Sequence, residues 1–146
     1  MLKEFNASII LVDDDVLCLN LYQQFLKQLG YHQVHLFDNG NDCLDNIVEL
    51  RPQIVFLDYN MDGLNGVEVF KQIKQIDSSI IVFFISGQED ISIAVSTIQL
   101  GAMDYIVKSS INSDKMRAIM ERAEAALPET PMVAKTQSSF LKRLFS

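Results

Sequence analysis

Four uninterrupted apolar runs, each ending on a residue able to handle a phosphoryl group or a metal, constrain this chain more than any other feature. Ile9-Ile10-Leu11-Val12 runs into Asp13-Asp14-Asp15, Ile54-Val55-Phe56-Leu57 into Asp58, Ile80 to Ile85 into Ser86, and Tyr105-Ile106-Val107 into Lys108. Such runs suit strands buried on both faces, as in a parallel sheet covered by helices. Helical signals alternate with them. Val16, Leu19, Leu21, Tyr22, Phe25, Leu26 and Leu29 recur at helical spacing between an opening aspartate and Gly30. A second strand reads over Val34–Phe37, a turn at Asp38-Asn39-Gly40, and a second helix over Asn41–Leu50 before Pro52. The loop 59–66 leads to a third helix carrying Val67, Phe70, Ile73 and Lys74; helix four reads from Asp90 to about Leu100, strand five over Asp104–Val107, and helix five from about Ser113 to Leu127.

Five strand–helix units predict an α/β fold of the flavodoxin-like kind, a doubly wound (βα)5 parallel sheet in strand order 2-1-3-4-5. In an open parallel sheet the carboxyl ends of the strands share one edge, where such folds build their sites. Three carboxylates, a hydroxyl and an ammonium would therefore meet in one crevice. Crowded carboxylates repel unless something positive sits among them, and magnesium, held by one or two carboxylates plus a phosphate, fits that need. A carboxylate beside the metal can act as a nucleophile toward phosphorus and form an aspartyl phosphate. Asp58 is the candidate nucleophile.

The order and spacing of IILVDDD, IVFLDYNMDGLNG, FFISG and GAMDYIVKS resemble the receiver domain of two-component response regulators, over about residues 5–127. The resemblance implies a magnesium site in which Asp14 and Asp58 ligate the ion directly, Asp13 acts mostly through a bound water, and Asn60 gives its backbone carbonyl. It makes Asp58 the phosphoacceptor, pairs Lys108 with Asp58 and then with the phosphoryl group, and assigns the switch to Ser86 and Tyr105, with Gly87 leaving room for the donor. The implied partners are a histidine kinase or phosphotransfer protein upstream and a protein contacted through helix four, strand five and helix five downstream, with a phosphorylation-dependent dimer as one form of that contact. The implied role is a stand-alone signalling domain rather than an enzyme.

Three positions depart from the family pattern. Asp62 stands where a proline is frequent, Asn65 where an aspartate is frequent, and Ser109 follows Lys108 where a proline is usual. The family's bond after this lysine is typically cis, and a non-proline cis bond costs about 2.5 to 4 kcal/mol. The chain therefore either holds a strained bond or runs trans there and shifts Lys108. These departures leave room for a receiver-shaped binding module that is never phosphorylated. A further alternative is a haloacid-dehalogenase-type phosphatase, because IILVDDDV also fits that signature with Asp13 as nucleophile, Asp15 as acid/base, and Ser86 and Lys108 as later motifs. No acidic pair follows Lys108 to complete it.

At 146 residues with 49% hydrophobic content, the chain has the length of one domain with ample core. No stretch reaches the roughly 18 apolar residues of a membrane span and no signal-peptide pattern opens the chain, so a cytoplasmic setting is expected. Net charge is −7, with 9 basic and 18 acidic residues in 1–127, a balance that disfavours direct nucleic-acid binding. Cys18 and Cys43 share no metal-ligand spacing and read as reduced packing residues within helices, while His32 and His35 flank the second strand without the helical setting of a relay histidine.

Helix four carries no charge from Ile91 to Met103. Its sheet-facing stripe reads as Ile91, Ala94, Val95, Ile98 and Ala102, which leaves Ile93 and Leu100 facing outward and, with Tyr105, as the candidate partner surface. Residues 1–127 form the expected domain. Residues 128–146 read as a flexible tail or linker, with Phe140 to Phe145 too apolar for a plain spacer and too short to anchor alone in a membrane.

Overall fold

The computed structural model describes residues 5–128. Five parallel strands, β1 (Phe5–Val12), β2 (Tyr31–Phe37), β3 (Ile54–Asp58), β4 (Ile81–Ser86) and β5 (Asp104–Val107), form one sheet in the order β2-β1-β3-β4-β5. Between and after them run α1 (Val16–Gln28), α2 (Gly40–Leu50), α3 (Gly66–Ile76), α4 (Ile91–Leu100) and α5 (Ser113–Ala126), with a 3-10 turn at Lys108–Ser110. The expected fold class and strand order are both observed.

The three central strands are apolar on both faces because two helical layers cover them. One core gathers Ile9, Leu11, Phe56, Phe83 and Ile106 against Leu19, Tyr22 and Leu26 of α1 and Met116, Ile119 and Met120 of α5. The other gathers Ile10, Val55, Leu57, Val82 and Phe84 against Cys43 and Ile47 of α2 and Val69, Phe70 and Ile73 of α3. Burying one Leu, Ile or Phe side chain contributes about 1.5 to 3 kcal/mol, so these two layers dominate the fold's stability.

Register places the site. Val12 pairs with Leu57, Asp58 with Ile85, and Ser86 with Val107, so Asp13, Asp58, Ser86 and Lys108 all fall at or one residue beyond the carboxyl ends of adjacent strands.

The helix starts are locally encoded. Asp15 caps α1, its side chain accepting the Leu17 N–H. Asn39, Asn65 and Asn112 cap α2, α3 and α5 by accepting the N–H three residues on, and Asp90 caps α4 by accepting from Ser92 and Ile93.

Several expectations are corrected. Strand two begins at Tyr31 rather than Val34, because as an edge strand it carries polar His32 and Gln33 that hide its start. Val16 and Leu21 do not join the buried face of α1, being 55% and 49% exposed. Helix four is rotated from the expected phase: Ile91, Val95 and Ile98 are exposed, Thr97 is buried, and Ile93 is half-buried on the inward side. Ile93 is thus not an outward residue, whereas Leu100, at 48% exposed, is. The tail beyond Pro128, including Phe140 to Phe145, lies outside the described residues.

Candidate functional site

At the carboxyl edge of β1 and β3, one oxygen from each of Asp13, Asp14 and Asp58 comes within 4.8 Å of the others. Asp13 and Asp58 are buried, each 2% exposed, while Asp14 opens to solvent. The buried pair is held by backbone: Asp13 Oδ1 accepts the Asp15 N–H at 2.9 Å, and Asp58 Oδ1 accepts the Asn60 N–H at 3.1 Å.

Lys108 enters from the end of β5. Its Nζ lies 2.9 Å from Asp13 Oδ2 and 3.4 Å from Asp58 Oδ2. Asp13, expected to act mainly through water, is therefore the closer partner of the lysine. All peptide bonds of the described residues are trans. Ser109 thus sits in a trans 3-10 turn, from which Lys108 still reaches both carboxylates.

Electrostatics follow from this crowding. Burial, with the Asp13 charge second, pushes the Asp58 carboxyl up from the ordinary range to about 7. Burial alone would lower Lys108, but the hydrogen-bonding contact with Asp13 and the charges of Asp58 and Asp13 outweigh it and hold the ammonium above its usual pKa. Asp13 Oδ2 is buried against the Lys108 ammonium at 2.9 Å. Three carboxylates still outnumber that ammonium at the edge, and the donor set fits a hard divalent ion with oxygen ligands.

Ser86 is fully buried, and its Oγ accepts the Gln88 N–H at 3.1 Å. The Tyr105 hydroxyl donates to the carbonyl of the same Gln88 at 2.8 Å. Gln88 therefore ties the two expected switch residues through its backbone, a link that sequence reading missed because no side chain signals it; its position two residues after a serine, where a hydroxyl can accept a backbone N–H, is the only clue. Tyr59 was missed as well. Its ring meets Tyr105 edge-on at 6.1 Å and Phe84 at 5.7 Å, between the end of β3 and the outer tyrosine.

The other sequence-selected residues also have places. Asn65 does what an aspartate would do, accepting the Glu68 N–H at 3.0 Å as the α3 cap, and Asp62 is exposed in the loop. Gly87 is exposed, and a Cβ added there would meet nothing within 4 Å. Asp15 is an exposed helix cap whose hydrogen bonds from Cys18 and Leu17 hold its carboxyl below the usual range. It is not poised as the acid/base of a phosphatase. Cys18 and Cys43 are free thiols, half-buried and buried, and burial raises Cys43 to about 12.

Residues 9–121 match the family model described as the response regulator receiver domain. The chain belongs to that family. Receivers are generally signalling modules of two-component systems, which weighs against the phosphatase alternative. The chain is 30% identical over 136 residues to the transcriptional regulatory protein ZraR of Escherichia coli, covering 90% of this chain and 30% of ZraR. It is 28% identical over 100 residues to the chemotaxis protein CheY of Thermotoga maritima, covering 68% of this chain and 83% of that protein. Among solved structures it is similar to the receiver domain of NtrX from Brucella abortus, with 33% identity, a TM-score of 0.73, and coverage of 80% of this chain and 97% of that one. The signal receiver domain of a putative LuxO repressor protein from Vibrio parahaemolyticus gives 27% identity and a TM-score of 0.76, covering 84% and 93%. This receiver thus spans about a third of the length of ZraR, but most of a CheY. Among its described residues no helix is long and apolar enough to cross a membrane.

Proposed function

We propose that this receiver takes a phosphoryl group onto the Asp58 carboxylate from a phosphohistidine of a histidine kinase or phosphotransfer protein, and passes the signal on by protein contact. The observation that carries the reading is the convergence of Asp13, Asp14, Asp58 and Lys108 at one sheet edge, with Asp58 at the end of the central strand. In the transfer, a carboxylate oxygen of Asp58 forms the bond to phosphorus as the P–N bond breaks, and the imidazole leaves with the electron pair. Only the ionised carboxylate can attack, so the Lys108 charge beside it favours the reactive form against burial. Asp14 and Asp58 would hold magnesium directly, Asp13 through water, and Asn60 through its carbonyl. When bound, the ion neutralises charge developing on the phosphoryl oxygens.

The switch in this reading begins at Ser86. Its hydroxyl would leave the Gln88 N–H for a phosphoryl oxygen and so disturb the same loop that holds Tyr105. The signal would reach a partner, or a second copy, through α4, β5 and α5, with the exposed apolar residues Ile91, Val95, Ile98 and Leu100 replacing Ile93 as the contact candidates. Residues 1–127 would act as the receiver and 128–146 as the following tail or linker. Acidic composition supports readout by protein rather than nucleic acid.

Intact mass after treatment with phosphoramidate and magnesium tests this. One added phosphoryl group is expected, absent from Asp58→Asn. No gain in the parent would favour a receiver-shaped binding module, and a gain that survives Asp58→Asn would overturn the assignment of the acceptor.

A further inference from the structure

The edge of the sheet opposite the site carries a second concavity. Phe5, which opens β1, stacks on Tyr31, which opens β2, with ring centroids 4.4 Å apart and planes 11° from parallel. These rings, with Leu29 at the end of α1 and Arg117, Met120 and Glu121 of α5, line a mainly apolar groove of about 240 Å³. It falls just below the roughly 300–1,000 Å³ of small-molecule sites and has the size for one or two inserted side chains.

We propose that this groove is the docking site of the chain's own segment Phe140–Phe145. Phe140, Leu141, Leu144 and Phe145 follow the i, i+1, i+4, i+5 spacing that would put apolar side chains on one side of a helical turn, with Lys142 and Arg143 on its two flanks, from which their long stems could reach the rim. The reach is ample. Met120 lies about 10 Å along α5 from Leu127, at 1.5 Å per residue. The twelve residues from Pro128 to Ser139 would have a root-mean-square span of roughly 17–21 Å if flexible, so the segment would be held near the groove at an effective concentration on the order of millimolar. Charge agrees as well. Residues 129–146 carry three basic groups and one acidic, against the acidic excess of the preceding domain. At the groove, Arg117 is paired with Asp114 at 3.1 Å, while Glu121 is exposed on the rim and Glu124 accepts the Tyr31 hydroxyl at 3.0 Å, so two carboxylates stand where Lys142 and Arg143 would arrive. A weak apolar contact suffices when the two parts are tethered.

The chain contains no tryptophan, so Phe140→Trp in the full chain is a single fluorescent reporter. Docking predicts blue-shifted emission and several-fold protection from acrylamide quenching relative to the same protein in denaturant, neither changing on dilution. Glu121→Lys, on the exposed rim, should cut the protection, and Leu29→Lys should abolish it, with circular dichroism confirming that both remain folded. The rim variant keeps the test decisive if Leu29→Lys unfolds. The proposal fails if the reporter is as accessible in the parent as in denaturant. It fails equally if protection survives Glu121→Lys in full, which would place the segment elsewhere, or if protection falls on dilution, which would make the contact one between two copies.

Discussion

α4 and α5 flank the same end of the sheet, yet they are held in opposite ways. α5 buries Met116, Ile119, Met120 and Ala123, the i, i+3, i+4, i+7 set, and keeps Lys115, Arg117, Glu121 and Arg122 outside. α4 buries only Thr97, whose hydroxyl is turned back to donate to the Ala94 carbonyl, while Ile91 is 80% exposed. Both helices are well capped, α4 by Asp90 at its start and by Gly101 in the left-handed region at its end. Local signals therefore make α4 a helix, but little tertiary burial seats it. A helix that is sound within itself and lightly attached can move as a body at small cost, which suits an element expected to report on the site.

The largest expected effect tests the fixed side of this contrast. Ile119→Ala should lower unfolding stability by about 2 to 5 kcal/mol, the range for truncating a buried Ile. Ile98→Ala on α4 should stay within about 0.5 kcal/mol, as exposed substitutions do. Comparable losses in urea melts would abolish the distinction.

The site should give up stability that the scaffold supplies. With Asp58 raised to about 7 by burial and then by Asp13, the native state keeps a proton that the unfolded chain releases near 4. Stability of the metal-free protein should therefore fall as pH rises from about 4 to 7 and level off above. Asp58→Asn should flatten that slope and melt higher than the parent at pH 8 in a chelator. Magnesium should raise the parent's melting temperature more at pH 8 than at pH 5, because protons compete for Asp58. A parent whose metal-free melting temperature climbs between pH 5 and 8 while Asp58→Asn stays flat would contradict the assigned direction.

Hydrogen exchange should divide the two helices without any mutation. Amides of α4 should open at free energies well below the global value, and those of α5 near it. Equal protection would mean that α4 is seated by something other than its side chains. The smallest effect on stability is expected from Ile91→Glu and Val95→Glu, which should change phosphoryl uptake little yet weaken phosphorylation-dependent association, since a contact there would have to desolvate the new charge. Association at the parent's level in both variants would move the output surface away from α4.

This same helix shows where the sequence was readable and where it was not. The apolar runs of β1, β3, β4 and β5 announce strands because they are flanked by helical layers, and their ends carry the site residues, so the sequence alone puts Asp13, Asp58, Ser86 and Lys108 on one edge. Periodicity on α4 has no phase to offer, because Ile, Val, Ala and Leu occur around the whole helix and no charge marks the wet side. The spacing consequently turns Ile91, Val95 and Ile98 toward the sheet, whereas all three are exposed. α5, with its charges on one side, was readable. Within the site, the closer pairing of Lys108 with Asp13 depends on the path of a trans turn, and the Gln88 link depends on backbone groups, neither of which side-chain identity encodes.

Gly66 carries a consequence for engineering. A Cβ there would fall 2.5 Å from the Asp58 carbonyl oxygen and 3.0 Å from Tyr59 Cα, and its N–H donates to the Tyr59 carbonyl at 3.3 Å. The loop between them is thus a hoop closed at its neck, with Asp62 and Gly63 exposed at its far side and Gly63 already at φ +80. Length can change at the far side without passing through the neck, since lengthening a flexible loop costs only about 0.6 kcal/mol per doubling. A peptide spliced between Asp62 and Gly63 would leave Asp58 and the first turn of α3 in register, making this hoop a port for sensors or affinity handles beside the acidic cluster, whereas any side chain at position 66 would push against the Asp58 backbone itself.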